Sequence, residues 1–213
     1  MHFAKKIEQA GADALELNAF ILPSRIDGNS EETEKTYFDI ITNIKKEIAI
    51  PVSLKISYYF SNLAKTIKEL SETQIDALVL FNRFYSPDID IDKKKVIATN
   101  IFSSPNDLSI SLRWVAIMHN HVKCDIAAST GIHDGKGVIK QLLAGANVVQ
   151  VVSTLYKNGI VQLSNIIKDL ENWMAKNNYT KIADFKGSLS HNKKVNAAMY
   201  ERTQFMKYFS DKK

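Results

Sequence analysis

Hydrophobic positions in this chain recur as five short apolar runs, separated by longer stretches with helical spacing. The runs occupy residues 14–17, 51–56, 77–81, 124–128 and 148–152. Three are introduced by a similar phrase: Ala10-Gly11-Ala12-Asp13, Thr73-Gln74-Ile75-Asp76 and Ala144-Gly145-Ala146-Asn147. In two of these, a glycine stands where a helix must end in a left-handed residue. A short polar residue then turns the chain into the run. Runs of this length, apolar on both faces, suit strands of a parallel sheet covered by helices.

The intervening stretches carry apolar residues at i, i+3 and i+4. Tyr37, Ile40, Ile41, Ile44 and Ile48 follow the first run, with Asn29 and Glu32 spaced as a capping pair. Leu63, Ile67 and Leu70 follow the second, behind Ser61 as the expected cap. A longer connection rich in Asp and Lys, 84–104, follows the third; a helix is then expected from Pro105, carrying Leu112, Val115 and Ala116. Val138, Ile139, Leu142 and Leu143 form a short stripe after the fourth run. Ile160, Leu163, Ile166, Ile167, Leu170, Trp173 and Met174 form the longest stripe, after the fifth.

Five repeats of strand then helix imply parallel strands joined by right-handed crossovers. The fold class expected is α/β, as an open sheet or a partial TIM (β/α)8 barrel. A full barrel needs eight units and about 250 residues. The opening Phe3-Ala4-Lys5-Lys6-Ile7 reads as the last turns of a helix, which favours the partial barrel: about five carboxyl-terminal βα units plus a helical tail. Residues 1–213 are expected to form one domain, with 184–213 as a basic tail.

Composition agrees with a soluble globular chain: 45% hydrophobic, 24% charged, 8 Gly and 4 Pro in 213 residues. No apolar run reaches the length of a membrane span, and the start does not read as a signal peptide, so a cytoplasmic protein is expected. A single cysteine, Cys124, excludes an internal disulfide and a Cys-based zinc site. From Asp184 to Lys213 there are seven Lys or Arg against three Asp or Glu, so the tail holds +4 of the +5 net charge. A near-neutral body with a solvated basic end argues against a nucleic-acid partner. Tyr200, Phe205, Tyr208 and Phe209 are spaced for a helix packed on the body. His119 and His121, two apart, do not share a helix face, and no metal site is expected.

In parallel α/β folds the chemistry gathers at the carboxyl ends of the strands. Those ends carry Asn18, Lys55, Asn82 with Arg83, Ser129-Thr130-Gly131, and Ser153-Thr154. A lysine inside an apolar strand must meet a polar cavity or an anion, unless the strand is an edge facing water. Asn18 and Asn82 are either ligand contacts or partners of loop backbone. The last two strand ends suit a backbone cradle for a phosphate, or are ordinary strand-to-helix turns.

Taken together, Gly11-Ala-Asp-Ala-Leu-Glu-Leu-Asn18, Val52-Ser-Leu-Lys55 and Leu78-Val-Leu-Phe-Asn-Arg-Phe-Tyr85 resemble class 1 dihydroorotate dehydrogenases, especially the dihydroorotate-dehydrogenase-like branch. Leu112-Arg-Trp-Val-Ala116, Ala128-Ser-Thr-Gly-Ile132, Leu143-Ala-Gly-Ala-Asn147, Lys186-Gly-Ser-Leu-Ser190 and Tyr200-Glu-Arg-Thr extend the resemblance over nearly the whole length. It implies an FMN-containing (β/α)8 barrel that oxidises dihydroorotate to orotate in pyrimidine biosynthesis. Lys55 would be matched to the lysine beside the flavin ring, and Asn18 and Asn82 to substrate amide contacts. Gly131 with Ile132, and Ser153 with Thr154, would be matched to the flavin phosphate cradle.

Two departures accompany the resemblance. The family's proton acceptor, a Cys or Ser, follows the first-strand Asn, but that offset here holds Phe20 and Ile21, which take no proton. Ser24 lies beyond Pro23, and Cys124, at the opposite end of its strand, reads as a core thiol. The base is therefore unassigned. The family's first three strands also have no counterpart, so a fragment, a companion chain supplying them, or a homo-oligomer is expected. The alternative reading is a non-catalytic truncated barrel or a module that binds a phosphate-bearing ligand.

Overall fold

The apolar runs become strands because their neighbours cover one face and their backbone groups pair side by side. The structure, a computed structural model, describes residues 2–191 and 198–201. Its elements are α1 (His2–Gln9), β1 (Leu15–Asn18), α2 (Ser30–Lys45), β2 (Val52–Ile56), α3 (Leu63–Ser71) and β3 (Ala77–Leu80). A hairpin of β4 (Pro87–Asp90) and β5 (Lys95–Ala98) precedes α4 (Leu108–Met118) and β6 (Asp125–Ala128). Then come α5 (Gly135–Ala144), β7 (Val148–Val149), α6 (Ser153–Asn158), α7 (Val161–Lys176) and α8 (Ala198–Glu201).

Five strands form one parallel sheet in the order β1-β2-β3-β6-β7, and β4 with β5 forms a separate antiparallel pair. Strand order follows chain order, with a helix in each crossover, which is the partial-barrel architecture. Register places Asn18 beside Lys55, Lys55 beside Val79, and Val79 beside Ala127.

The expectation of strands apolar on both faces holds for β3 and β6, where Val79 and Ala127 on the second face are also buried, and is corrected for β1 and β2. Val52, Leu54, Ile56, Leu78, Leu80, Ile126 and Ala128 are fully buried. Against them pack Tyr37 and Ile41 of α2, Ile67 and Leu70 of α3, Val115 and Ala116 of α4, and Leu142 of α5. The opposite face carries Glu16, Asn18, Ser53 and Lys55, all partly or well exposed. Burying a Leu or Ile side chain is worth about 1.5–3 kcal/mol, so the helix-covered face alone makes a substantial core.

Local signals decide the boundaries. Gly11 and Gly145 adopt φ +91° and +119°, the left-handed stops expected ahead of β1 and β7. Asn29 caps α2, its side chain accepting from the Glu31 amide at 2.9 Å. The cap of α3 is Asn62, which accepts from the Lys65 amide; Ser61 instead donates to Glu34 at 2.7 Å. The 84–104 connection is not a plain loop but holds the β4–β5 hairpin. A 3-10 turn at Pro105–Asp107 leads into α4. Only Val148 and Val149 of the fifth run pair as strand, and β7 forms one edge of the sheet. In α7 only Ile166 is buried, whereas Leu163 and Ile167 are exposed. Tyr200 donates to the Leu189 carbonyl at 2.6 Å; Phe205, Tyr208 and Phe209 lie outside the described residues.

Candidate functional site

Strand parity determines where Lys55 points. Leu54 and Ile56 face the helices, so Lys55 turns to the other face, inside the curve of the sheet. β2 is flanked by β1 and β3 and is not an edge, and the Lys55 side chain is only 17% exposed. Its ammonium donates to Gln150 Oε1 at 2.9 Å and lies 3.5 Å from Glu16. Gln150 Nε2 in turn donates to the other Glu16 oxygen at 2.6 Å. Side chains from β1, β2 and the chain just beyond β7 thus meet across the inner face. The Glu16 carboxylate compensates the ammonium, and Gln150 ties both in place.

Beside this network is a cavity of about 200 Å³. Lys55, Asn82, Arg83, Gly131, Ile132, Gln150 and Ser153 line it, with Ser103, Ser129, Thr130 and two apolar residues, Ile101 and Val152. It bears two cations and no carboxylate, so it suits an anionic or electron-rich group. Asn82 is buried, and its Nδ2 donates to the carbonyls of Ala19 at 3.2 Å and Lys55 at 3.3 Å. It therefore does brace loop backbone, which leaves Oδ1 to meet a ligand. Arg83 donates through Nη1 to Asn100 and Ile101 carbonyls, and its Nε lies 3.5 Å from Asp107.

The glycine turn is built by packing. Thr130 and Gly131 adopt φ +74° and +80°. A Cβ on Gly131 would stand 2.1 Å from the Leu108 amide nitrogen, so glycine lets this loop rest on the start of α4. The backbone N–H groups of Gly131, Ile132, Ser153 and Thr154 have no protein acceptor among the described residues. Thr154 is fully buried, and its hydroxyl donates to the His133 carbonyl at 2.9 Å. Ser153 Oγ accepts from the Ser103 amide at 3.0 Å, and Ser103 Oγ shares a hydrogen bond with His133 Nε2. Burial, then the Lys157 charge, holds His133 below its ordinary pKa.

An aromatic chain runs along the ends of the first three strands. Phe20 lies 4.2 Å from Phe84, Phe84 lies 5.2 Å from Tyr59, and Tyr59 lies 4.6 Å from Tyr58, between ring centroids. Tyr58 then meets Phe81 edge-on at 5.8 Å. The hydrogen bond between the two tyrosines, followed by burial, pushes the Tyr58 phenol up to about 12, so it stays protonated.

The family model described as "Dihydroorotate dehydrogenase" matches residues 1–174. The chain belongs to the dihydroorotate dehydrogenase family. It is 29% identical over 192 residues to the dihydroorotate dehydrogenase B (NAD(+)) catalytic subunit of Thermoplasma volcanium, covering 85% of this chain and 61% of that protein. It is 27% identical over 197 residues to the Thermoplasma acidophilum protein of the same name, covering 88% and 63%. For the Petrotoga mobilis protein, also of that name, it is 29% identical over 187 residues, covering 86% and 62%. The chain thus spans 61–63% of the length of these relatives. The crystal structure of DHODH from Eimeria tenella in complex with ferulenol superposes with a TM-score of 0.67 at 19% identity. It covers 87% of this chain and 57% of that one, a likeness that bears on the fold.

Of the residues singled out from the sequence, Lys55, Asn82, Gly131, Ile132 and Ser153 line one cavity. Asn18 sits beside Lys55 in register but does not line it, and Thr154 lies behind the wall. Cys124 stands before β6, at the far end of the strand from the cavity, and burial, then Asp125, pushes its thiol up to about 11. Gln150 and the Tyr58–Tyr59–Phe84 rings were not anticipated. A polar residue within the 148–152 run was the available signal for Gln150, by the same logic that singled out Lys55.

Proposed function

We propose that this chain forms a single FMN-binding barrel domain, over residues 1–213, of an oxidoreductase of dihydroorotate dehydrogenase type acting on a CH–CH bond. Dihydroorotate oxidation in pyrimidine biosynthesis is the reaction that its family membership suggests. The observation that carries the reading is the convergence of Lys55, Asn82, Gly131, Ile132 and Ser153, from four strand ends, on one cavity without a carboxylate.

These residues fit a flavin mononucleotide. The free amides of Gly131, Ile132, Ser153 and Thr154 suit its phosphate, since N–H groups without a protein partner are what an anion needs. Bound there, FMN supplies the hydride acceptor at its ring N5. Lys55, already held in place by Gln150 and Glu16, would offset the negative charge that a bound flavin gains on reduction. Asn82 keeps the ends of β1 and β2 together while presenting Oδ1 to substrate, and Asn18 is assigned to the substrate side of Lys55.

The edges of the sheet support a partner. Val148 in β7 and Val152 just beyond it are both more than half exposed. A homo-oligomer or a companion chain supplying further strands would cover them. The relatives are themselves named as catalytic subunits. We place the protein in the cytoplasm; no helix among the described residues is long and apolar enough to cross a membrane.

The test is flavin uptake. FMN added to the purified chain is expected to lose fluorescence and to stay with the protein through gel filtration, and Lys55→Ala is expected to weaken binding. A colourless, folded chain that leaves FMN fluorescence unchanged would overturn the reading.

A further inference from the structure

Lys55 meets the cavity with a carboxylate at its back. Glu16 shares the inner face of β1 with Asn18, but in register it stands level with Ser53, two positions deeper in the sheet than Lys55. Lys55 and Gln150 line the cavity, and Glu16 does not. One Glu16 oxygen lies 3.5 Å from the Lys55 ammonium, and the other accepts from Gln150 Nε2 at 2.6 Å. Gln150 Oε1 accepts from Lys55 at 2.9 Å. A carboxylate only accepts and an ammonium only donates, so one orientation of the Gln150 amide satisfies both. The three side chains, from β1, β2 and the chain beyond β7, thus hold a cation in front and an anion behind. The carboxylate is 37% exposed, so water screens its charge only in part.

We propose that Glu16 is the counter-charge that limits how strongly Lys55 favours a negatively charged ring, and so sets the reduction potential of the bound flavin without touching it. That role rests on the flavin reading for what occupies the cavity. Coulomb energy falls as the inverse of distance, so a carboxylate 3.5 Å from an ammonium is felt by whatever the ammonium meets. A group in the cavity faces an ion pair, whose field dies away faster than that of a lone cation. The flavin ring is neutral when oxidised and gains negative charge on reduction, so the pair acts mainly on the reduced form. A lone cation would stabilise that form more. It would also oppose the following half of turnover, in which the electrons are passed on. Gln150 fixes the spacing of the two charges, and the carboxylate subtracts from the field that Lys55 supplies.

The experiment measures the midpoint potential of the FMN-loaded full chain by dye equilibration, with affinity for oxidised FMN measured alongside by fluorescence. Glu16→Gln keeps the shape of the side chain and an acceptor for Gln150 but removes the charge. It is expected to raise the preference for reduced over oxidised FMN about tenfold, about +30 mV for a two-electron couple. Its affinity for oxidised FMN is expected to stay within about twofold of the parent chain. Glu16→Asp and Glu16→Asn, alike in shape, form a second pair in which only the neutral member is expected to raise the potential. A residue that merely held Lys55 in place would behave differently, because its loss would weaken oxidised FMN binding and lower the potential. An unchanged or lowered potential in Glu16→Gln, or equal potentials for Glu16→Asp and Glu16→Asn, overturns the proposal. FMN uptake with no charge-dependent shift removes the counter-charge role and leaves the flavin reading standing, whereas no FMN uptake by the parent chain overturns both.

Discussion

Gln150→Met tests whether the inner face is organised around Lys55. Methionine keeps the length of the side chain but removes both hydrogen bonds, the 2.9 Å acceptor for Lys55 and the 2.6 Å donor to Glu16. Hydrogen bonds to charged groups contribute about 1.5–3 kcal/mol net when buried. Here the ammonium is 17% and the carboxylate 37% exposed, so water replaces part of what is lost. The 3.5 Å contact between the two charges also remains. The expected destabilisation is therefore about 1–2 kcal/mol in total, discounted for solvent. For a chain of this size that lowers Tm by about 3–6 °C. Urea unfolding of Gln150→Met, Lys55→Met and the double variant forms a cycle, with an expected coupling of about 1 kcal/mol. Additivity within about 0.3 kcal/mol would show that the residues act independently and would refute the network.

Three further outcomes are expected. Gly131→Ala should destabilise by about 3 kcal/mol or more, since its Cβ would stand 2.1 Å from backbone at Leu108 in a left-handed conformation; Gly11→Ala, with nothing within 4 Å, should lose only about 1 kcal/mol, and equal losses in thermal unfolding would refute the packing account. His119 sits between Gly145 and Gly187, and burial, then Lys186, holds its pKa below the ordinary 6.5; burial and Lys157 do the same to His133. The unfolded chain therefore binds more protons just below pH 6.5, so stability should fall as pH drops from 7.5 to 5.5, and a flat urea midpoint over that range would contradict it. Val148→Lys, which puts a charge on the half-exposed edge strand β7, should lower self-association in sedimentation velocity without changing Tm by more than about 2 °C.

Period and punctuation made much of the fold legible in the chain. Gly11 and Gly145 mark helix ends because few other residues tolerate positive φ, and the five apolar runs mark strands because a covered sheet needs them. The Ser61–Asn62 difference is local competition: either side chain can cap, and Ser61 finds Glu34 across space instead. The β4–β5 hairpin escaped notice because Asp and Lys dominate it and its strands bury little. The fifth run stops pairing after Val149 because β7 lies at the edge, where only β6 supplies partners.

The sequence by itself determined where the first four strands of the parallel sheet end, and with them the candidate chemistry of Lys55, Asn82 and Gly131, whereas β7 ends at Val149 and Ser153 opens α6. Tertiary structure alone decided what those residues meet. Glu16 and Gln150 are 134 positions apart and become neighbours only because the parallel sheet curls their ends across its inner face. Asn18 shares the face of Lys55 but sits on the edge strand β1, and Thr154 is fully buried behind the wall, so neither lines the cavity. The ring contacts of Phe20, Tyr59 and Phe84 likewise depend on adjacent strand ends being drawn together. Local pattern specifies element and face, whereas convergence on one point depends on register and curvature, which belong to the assembled sheet.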